Sequence, residues 1–434
     1  MRAPSVADAM ASTATPASAR SAPLPVTLED VEAAARAIAG AVRTTPLIEA
    51  PHFPGLPDVP LYLKLENLQR TGAFKLRGAT NRLAQLSPDE ARRGVIAASA
   101  GNHSQGVAYA ARAKGIPATI VMARTASPLK VRATRALGAE VVLHGGDYEE
   151  ANEEAVRRAK RDGLTLIHPF DDRFVIAGQG TVGLEIVEQL PTVRRVIVGV
   201  GGGGLLAGIG VAVRGRRPDA DIVAVQPTGA DTLRTSLAQG RVIVGGRPST
   251  FADGLATRHV GNLPFEILRA LGTRAFAVDD RAIARASFLL LELAKVLAEG
   301  AGAAPLAAVL EHPELANDGP TVLVISGGNL DPFLLDRILF IGLSAEGRLL
   351  RLRAPVPDVP GRLAEMLAVT ADAGANVRHI RHDRDAPGRV PQEVGVELEL
   401  EVRDAQHGEE VLALFRAKGW TVERVPLSDG GPAN

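Results

Sequence analysis

The sequence of 434 residues contains no cysteine. This absence excludes disulfide bonds, thiolate nucleophiles, and zinc or iron–sulfur sites with cysteine ligands. Phe, Trp and Tyr together make up only 3% of the residues, which leaves little material for the aromatic surfaces on which nucleic-acid bases stack. The 49 basic and 49 acidic side chains cancel, so no general attraction to nucleic acid or anionic lipid is expected. The composition therefore favours an enzyme or a small-molecule binder with no nucleic-acid partner.

The chain also lacks long apolar segments. A membrane helix needs roughly 18 consecutive apolar residues, and the longest candidate, residues 287–297, is interrupted by Glu292 and Lys295. Residues 1–26 are rich in Ala, Ser, Thr and Pro but have no continuous apolar core of the kind found in secretory signals. We therefore expect a cytoplasmic protein with no membrane partner. Residues 1–26 are expected to form a disordered extension, with a transit peptide as the less favoured alternative.

The sequence does contain a regular alternation of short β-branched runs and helical stretches. Thr27 is placed to cap a helix over residues 28–39, with Asp30 at its third position. Strands are predicted over residues 95–98, 118–122, 140–143, 195–200, 221–225 and 321–325. Helices are predicted between them, for example over 102–114 and 128–137. This alternation predicts an α/β, doubly wound parallel sheet with binding sites at the carboxyl ends of the strands.

The pattern changes after about residue 346. Strands are predicted over 349–353, 376–382, 393–401 and 421–425, with one helix after Pro360 and another over 405–418. The order βαββαβ predicts a compact α+β, ferredoxin-like domain over residues 347–428. We place the boundary near residue 343, where Gly342, Ser344 and Gly347 are expected to make the chain flexible.

Lys75 is the first candidate for chemistry. Only seven of the 49 basic residues are lysine, and arginine cannot replace lysine as an amine nucleophile because guanidinium keeps its proton near neutrality. Phe74 and Leu76 would desolvate the Lys75 amine, and Arg77 adds a nearby positive charge. Both effects lower an amine pKa and favour Schiff-base chemistry. The alternative is a structural lysine in a glycine-flanked turn.

A second candidate segment follows the predicted strand 95–98. It consists of Ser99, Ala100, Gly101, Asn102 and His103. The backbone N–H groups that open the next helix would bind a carboxylate or phosphate. Asn102 could donate its amide to a ligand oxygen, and the alternative is that Asn102 merely caps the helix.

A third segment is the run of glycines after strand 195–200. It consists of Gly201, Gly202, Gly203 and Gly204, followed by Leu205. Consecutive glycines are conformationally costly, so their presence indicates a backbone that approaches an anion closely. No Gly-Lys-Ser/Thr follows, and strand 221–225 ends in Gln226 instead of an acid, so the P-loop is absent and the dinucleotide fingerprint is incomplete. A single phosphate is favoured over a merely flexible turn.

The fourth candidate is Ser326, just after strand 321–325. Its hydroxyl could hydrogen-bond a ring nitrogen without imposing a charge, and the alternative is a strand-ending turn. Pyridoxal phosphate chemistry requires four such groups: an amine, a loop that binds phosphate, a segment that binds a carboxylate, and a partner for the ring nitrogen.

Six phrases between about Thr27 and Phe340 occur in a characteristic order: GAFKLRGA, SAGNHSQG, HPFDD, AGQGT, GGGGL and ISGGN. With them the chain resembles the fold-type II (tryptophan synthase β-like) pyridoxal-phosphate enzymes, and within these the threonine dehydratase (threonine ammonia-lyase) family. The resemblance implies a catalytic domain over 27–342, with a small subdomain at about 66–165 inserted in a large one. It implies pyridoxal 5'-phosphate as cofactor and deamination of L-threonine, and also of L-serine.

The resemblance also implies roles for the candidate residues. Lys75 would bind the coenzyme covalently and act in catalysis, and Phe74 would flank the coenzyme ring. Asn102 would bind the phenolic oxygen and Ser326 the pyridine nitrogen. The phosphate would be held by Gly201, Gly202, Gly203, Gly204 and Leu205. The substrate carboxylate would be held by Ser99, Ala100, Gly101, Asn102 and His103.

The sequence departs from its relatives at several positions. Serine racemases carry a serine where Ala100 stands, and an alanine cannot move a proton, so dehydration is preferred over racemisation. Ala73 stands where the family commonly has serine. Two carboxylate ligands of the relatives' cation site are replaced by Gln226 and Thr232, so we expect no tightly bound metal, with Asp231 as the residue for a shifted site.

The C-terminal segment resembles an ACT domain through Asp358, Pro360, Gly361 and Leu363. The resemblance implies allosteric control by an amino acid, such as a branched-chain one, and a homo-oligomer (dimer or tetramer). Three alternatives to threonine deamination remain open: a serine or 3-hydroxyaspartate dehydratase, a serine racemase-like enzyme, and a catalytically silent amino-acid sensor.

Overall fold

The computed structural model describes residues 24–384 and 392–427. Residues 1–23 of the predicted extension, and residue 428 of the predicted C-terminal domain, lie outside the described residues. The strands in chain order are β1 (Leu47–Glu49), β2 (Leu61–Leu65), β3 (Val95–Ala98), β4 (Ala118–Met122), β5 (Glu140–Leu143), β6 (Thr165–Leu166), β7 (Arg195–Gly199), β8 (Asp221–Pro227), β9 (Arg274–Val278), β10 (Thr321–Ile325), β11 (Leu349–Pro357), β12 (Asn376–Asp383), β13 (Glu393–Glu401) and β14 (Glu423–Arg424).

The α-helices are α1 (Leu28–Ile38), α2 (Lys75–Ala84), α3 (Pro88–Arg93), α4 (Asn102–Lys114), α5 (Pro128–Ala136), α6 (Tyr148–Asp162), α7 (Arg173–Gln189), α8 (Gly204–Arg216), α9 (Leu233–Gln239), α10 (Asn262–Ala270), α11 (Asp280–Glu292), α12 (Gly300–Glu311), α13 (Pro332–Ala345), α14 (Arg362–Asp372) and α15 (Ala405–Ala417). Among these described helices, none combines the length and the apolar character needed to cross a bilayer. Thr27 caps α1 in a capping box with Asp30, as predicted.

The larger of two parallel sheets has the strand order β1-β2-β10-β7-β8-β9, in which only β1 is antiparallel to its neighbour. Its central strands are buried on both faces, as parallel strands covered by helices must be. Val196 and Val198 of β7 pack with helices α7, α8 and α10, whereas Ile197 packs with α11 and α12. The smaller parallel sheet, β5-β4-β3-β6, lies in the chain between β2 and β7. These two sheets confirm the predicted α/β fold class.

The third sheet is antiparallel, with the order β12-β13-β11-β14. The elements β11, α14, β12, β13, α15 and β14 follow one another along the chain, which confirms the predicted βαββαβ, ferredoxin-like unit. Its core contains Leu352, Val396 and Phe415, each fully buried.

Several predicted element limits were wrong. Helix α13 runs unbroken through Gly342 to Ala345, so residue 343, where a flexible connection was expected, lies within a helix. Gly342 is needed for packing instead, because a β-carbon there would overlap the ring of Phe288. Strand β11 continues to Pro357, whereas it was predicted to end at residue 353.

A buried cluster of charges anchors helix α2 to the large sheet. The Arg77 guanidinium donates to both carboxylate oxygens of Glu66 at 2.8 Å and to Glu185 at 2.6 Å. Lys64 donates to the second oxygen of Glu185, also at 2.6 Å. Arg77 and Lys64 are completely buried, and each carboxylate is paired with a cation. Because α2 begins at Lys75, this cluster fixes the helix that carries the candidate lysine.

Candidate active site

Lys75 is the first residue of α2, and its amine is enclosed by the loop that follows β6. The Nζ atom donates a hydrogen bond to the Pro169 carbonyl oxygen at 2.7 Å and lies 5.1 Å from the centre of the Phe74 ring. Burial lowers the pKa of Lys75 to about 8, with the Glu299 carboxylate acting in the opposite direction. The Phe74 N–H donates to the Ser326 carbonyl oxygen at 3.0 Å, so Ser326 lies next to the turn that carries the lysine. The structure therefore brings Phe74, Lys75 and Ser326 together.

The glycine loop connects β7 to α8, which begins at Gly204. Gly203 has a φ of +89°, a backbone conformation that favours glycine. A β-carbon on Gly201 would lie 2.7 Å from the Gly254 carbonyl oxygen, and one on Gly202 would overlap the ring of Phe170. The first N–H groups of α8 have no acceptor within the helix, and a helix N-terminus favours an anion. The loop, which ends at the buried Leu205, thus has the shape and the donors to fit a phosphate group.

Gly202→Ala tests the need for glycine in this loop. We expect the substitution to lower the free energy of unfolding by about 1–3 kcal/mol, because the added methyl group overlaps the Phe170 ring in a packed site. It should also weaken coenzyme binding, because the loop must move. Thermal melting and a coenzyme titration followed by visible absorbance measure the two effects. Gly246→Ala is the control, since Gly246 has no atom within 4 Å of its β-carbon position; equal melting temperatures and coenzyme affinities for the two variants would contradict the prediction.

The segment Ser99–His103 lies between β3 and α4. The N-cap of α4 is Gly101, so the alternative in which Asn102 caps the helix is wrong. The Gly101 N–H donates to the Ser99 hydroxyl at 3.1 Å. The ring of His103 is buried against the Ile167 carbonyl oxygen at 2.9 Å, and burial lowers its pKa to about 3, so the ring is neutral. What this segment offers to a carboxylate is its main-chain N–H groups, and Ala100 adds only a methyl group.

Asn102 takes part in a hydrogen-bond relay that the sequence did not indicate. Its Nδ2 atom donates to Glu299 Oε1 at 2.7 Å, and its Oδ1 atom accepts from Asn329 Nδ2 at 2.8 Å. Glu299 is the N-cap residue of α12 but makes no capping hydrogen bond with its side chain. Burial raises the pKa of Glu299 to about 7.

Other residues at the site were also missed as individual candidates. Phe170 and Pro169 belong to the phrase HPFDD, and Asn329 belongs to ISGGN, so their motifs were recognised although their contacts were not. Lys130 and Asp253 pair at 2.7 Å, which joins α5 to the short turn Asp253–Leu255 between α9 and α10. No signal in the sequence singles out Glu299.

Gln226 and Thr232 stand where the resemblance places two metal ligands, and only the Gln226 side chain makes hydrogen bonds among the described residues. Gln226 is buried, donates to the Val200 carbonyl oxygen at 3.1 Å and accepts from the Leu233 N–H at 2.7 Å. Asp231 pairs with Arg234 at 2.7 Å. Across residues 24–384 and 392–427 no three His, Asp or Glu side chains are grouped so that they could hold a metal ion. That no metal binds tightly stays a prediction.

The residues present fit pyridoxal phosphate. They provide a buried amine of lowered pKa, a glycine loop at a helix N-terminus, and an amide that donates to the Glu299 carboxyl group. These groups come from separate segments of the chain that contact one another. Pro169 and Phe170 connect Lys75 to the glycine loop, and Asn329 connects Asn102 to the turn before Lys75.

Comparison with known proteins agrees with this chemistry. Residues 38–327 match the family model described as pyridoxal-phosphate dependent enzyme. L-threonine ammonia-lyase of Thermotoga maritima is 45% identical over 401 residues, which cover 92% of this chain and all of that protein. The processed form of threonine deaminase isoform 2 from Solanum lycopersicum shares 37% identity over 72% of this chain and 86% of that one, with a TM-score of 0.67. Maize serine racemase shares 34% identity over 74% of this chain and 98% of that one, with a TM-score of 0.69.

Proposed function

This chain belongs to the family of pyridoxal-phosphate dependent enzymes, and we propose that it deaminates L-threonine to 2-oxobutanoate and ammonia, and L-serine in the same way. The observation that carries the proposal is the position of the Lys75 amine, which donates to the Pro169 carbonyl oxygen while the next residue, Phe170, packs against the glycine loop. The identity to the Thermotoga maritima L-threonine ammonia-lyase over that protein's whole length supports the choice of substrate. Because the chain is an enzyme, the alternative of a catalytically silent sensor is set aside.

Each site residue has a proposed task toward the coenzyme. When bound, pyridoxal phosphate supplies an electron sink that stabilises negative charge at the substrate Cα. Lys75 would hold it covalently and Phe74 would flank its ring. Asn102 would donate to its phenolic oxygen, and Ser326 would meet its ring nitrogen with a neutral hydroxyl. The phosphate would bind the N–H groups of the loop Gly201–Leu205, which the N-terminus of α8 supports.

The substrate would be held by main-chain groups and processed by Lys75. The carboxylate would accept N–H groups from the start of α4, whose N-cap Gly101 has no side chain to compete for them. With the substrate bound, the Lys75 amine would accept the Cα proton. Its pKa of about 8 leaves part of the amine neutral near neutral pH, as a general base requires. The water lost with the β-hydroxyl is regained when the product is hydrolysed, so threonine yields one 2-oxobutanoate and one ammonia.

Serine racemisation is less well supported than deamination, although maize serine racemase shares the fold. Racemisation requires a proton donor on the face of the substrate opposite the lysine. Ala100 occupies the position at which racemases carry a serine, and its methyl group cannot transfer a proton.

The C-terminal unit is proposed to bind an amino-acid effector in a homo-oligomer (dimer or tetramer). An open cavity of about 350 Å³ lies at its first strand–helix turn, lined in part by Arg362 and His382. Asp358 accepts two hydrogen bonds from Arg384 at 3.0 Å beside this cavity. Charged groups of both signs suit an amino acid, which carries both an ammonium and a carboxylate group.

An assay of the purified holoenzyme tests the proposed reaction. With L-threonine we expect equal amounts of ammonia and 2-oxobutanoate, and with L-serine equal amounts of ammonia and pyruvate. The ratio of kcat/KM for the two substrates and for 3-hydroxyaspartate ranks the dehydratase alternatives. Adding isoleucine or valine tests the effector. Formation of D-serine without a 2-oxoacid, or no product from either amino acid, would overturn the proposal.

A further inference from the structure

Asn329 lies just after β10 and has no task in the proposed reaction. Its Nδ2 atom donates two hydrogen bonds of 2.8 Å, one to the Thr71 carbonyl oxygen and one to Asn102 Oδ1. Gly72, in the turn before Lys75, makes room for this side chain. A β-carbon on Gly72 would lie 2.5 Å from Asn329 Oδ1. Asn329 therefore links the turn before Lys75 to the start of α4.

The orientation of the Asn329 amide is fixed by chemistry. A main-chain carbonyl oxygen can only accept hydrogen bonds, so the atom of Asn329 that faces the Thr71 carbonyl must be the NH2 group. The same NH2 group reaches Asn102, so the atom of Asn102 that faces Asn329 must be its carbonyl oxygen.

The orientation of Asn102 follows from that of Asn329. With its oxygen occupied by Asn329, the Asn102 NH2 group points to the other side, where one N–H donates to Glu299 Oε1 at 2.7 Å. The second N–H stays available to a ligand. Glu299 alone would not enforce this orientation, because a protonated carboxyl group can donate as well as accept. Asn329 can only present its NH2 group.

We propose that Asn329 is a positioning residue, which holds the Asn102 amide with an N–H toward the oxygen of the bound coenzyme and ties that orientation to the turn before Lys75. This inference rests on the proposed function, in which Asn102 donates to the phenolic oxygen. Without Asn329, the Asn102 amide can rotate and turn its oxygen toward the coenzyme oxygen, which repels it.

A double-mutant cycle tests the inference on the full-length holoenzyme. Asn329→Ala is expected to weaken coenzyme binding about tenfold, and Asn329→Asp by more, since a carboxylate there faces two acceptor oxygens. The absorbance maximum of the bound coenzyme should shift in Asn329→Ala in the same direction as in Asn102→Ala. In the Asn102→Ala background, Asn329→Ala should have a clearly smaller effect than in the wild type, because only the hydrogen bond to the Thr71 carbonyl oxygen then remains to be lost.

Asn67→Ala is the matched control. The Asn67 amide also donates to a main-chain carbonyl oxygen, that of Leu297 at 3.1 Å, whereas the side-chain hydrogen bonds of Asn102 within the described part of the chain go to Glu299 and Asn329. This variant should keep the wild-type coenzyme affinity and absorbance maximum. If Asn329→Ala does not fold, Asn329→Ser replaces it in the same cycle.

The outcomes separate the inference from the proposed function. Effects of Asn329→Ala and Asn102→Ala that simply add, or an unchanged coenzyme affinity in Asn329→Ala, would overturn the positioning role while an active wild type leaves the function intact. A wild type that binds the coenzyme but deaminates neither threonine nor serine would overturn the function instead. In that case a non-additive cycle would still support the orientation of Asn102.

Discussion

Replacing Lys75 with alanine is expected to abolish deamination, with a fall in kcat of about 10⁴-fold or more. The change removes both the nitrogen that would bind the coenzyme and the base that would accept the Cα proton. Lys75→Arg is expected to be equally inactive, because guanidinium keeps its proton although the positive charge is preserved. The glycine loop is untouched in both variants, so weak non-covalent coenzyme binding should persist. Steady-state turnover of threonine and a coenzyme titration measure the two properties.

Lys160→Ala is the control for this experiment. Lys160 lies on the exposed face of α6, away from the site, so its loss should leave turnover and coenzyme binding unchanged. Undiminished turnover in Lys75→Ala would contradict the account. A loss of turnover accompanied by a large fall in the melting temperature would indicate that Lys75→Ala is misfolded. In that case the turnover of Lys75→Arg tests whether the Lys75 amine is required.

Arg77→Leu is expected to lower the free energy of unfolding by about 3–5 kcal/mol, because it leaves buried carboxylates without their main partner. Glu66 loses both of its 2.8 Å hydrogen bonds from Arg77, and Glu185 keeps Lys64 as its cationic partner together with the Thr45 N–H at 3.2 Å. Burial alone would raise the pKa of Glu185, but Arg77 and Lys64 outweigh burial and hold it below its usual range. Without Arg77, the charge of Lys64 alone has to offset the effect of burial on the Glu185 carboxylate. Chemical denaturation of the apo-protein measures the loss.

Arg92→Leu serves as the comparison for Arg77. Arg92 pairs with Asp89 on α3, but both side chains are more than half exposed, so the pair should contribute about 0–1 kcal/mol. Equal losses for the two variants would show that the buried cluster does not anchor α2. Because α2 begins at Lys75, Arg77→Leu should also weaken coenzyme binding.

Local sequence signals predicted the main elements and the chemistry-bearing segments. Strands β3, β4, β5 and β10 and helix α4 have the predicted bounds, because their patterns are set by residues that are neighbours in the chain. Lys75 and the glycine loop could be singled out as candidates for the same reason. A scarce amine beside apolar residues, and a run of costly glycines, are both visible without a structure.

The residues that were missed depend on contacts between distant segments. Glu299 reaches Asn102 across 197 positions of the chain, and Asn329 reaches it across 227. No short pattern encodes such a contact. The error at Gly342 has a related cause, since glycine permits flexibility and close packing alike, and only the position of Phe288 shows which one applies.

Borohydride reduction of the wild-type holoenzyme, followed by digestion and peptide mapping, tests the central claim most directly. Reduction makes the bond between the coenzyme and its lysine permanent, so the label reports which nitrogen was attached. We expect one coenzyme per chain, on the peptide that contains Lys75. Label on any of the other six lysines, or no label at all, would contradict it.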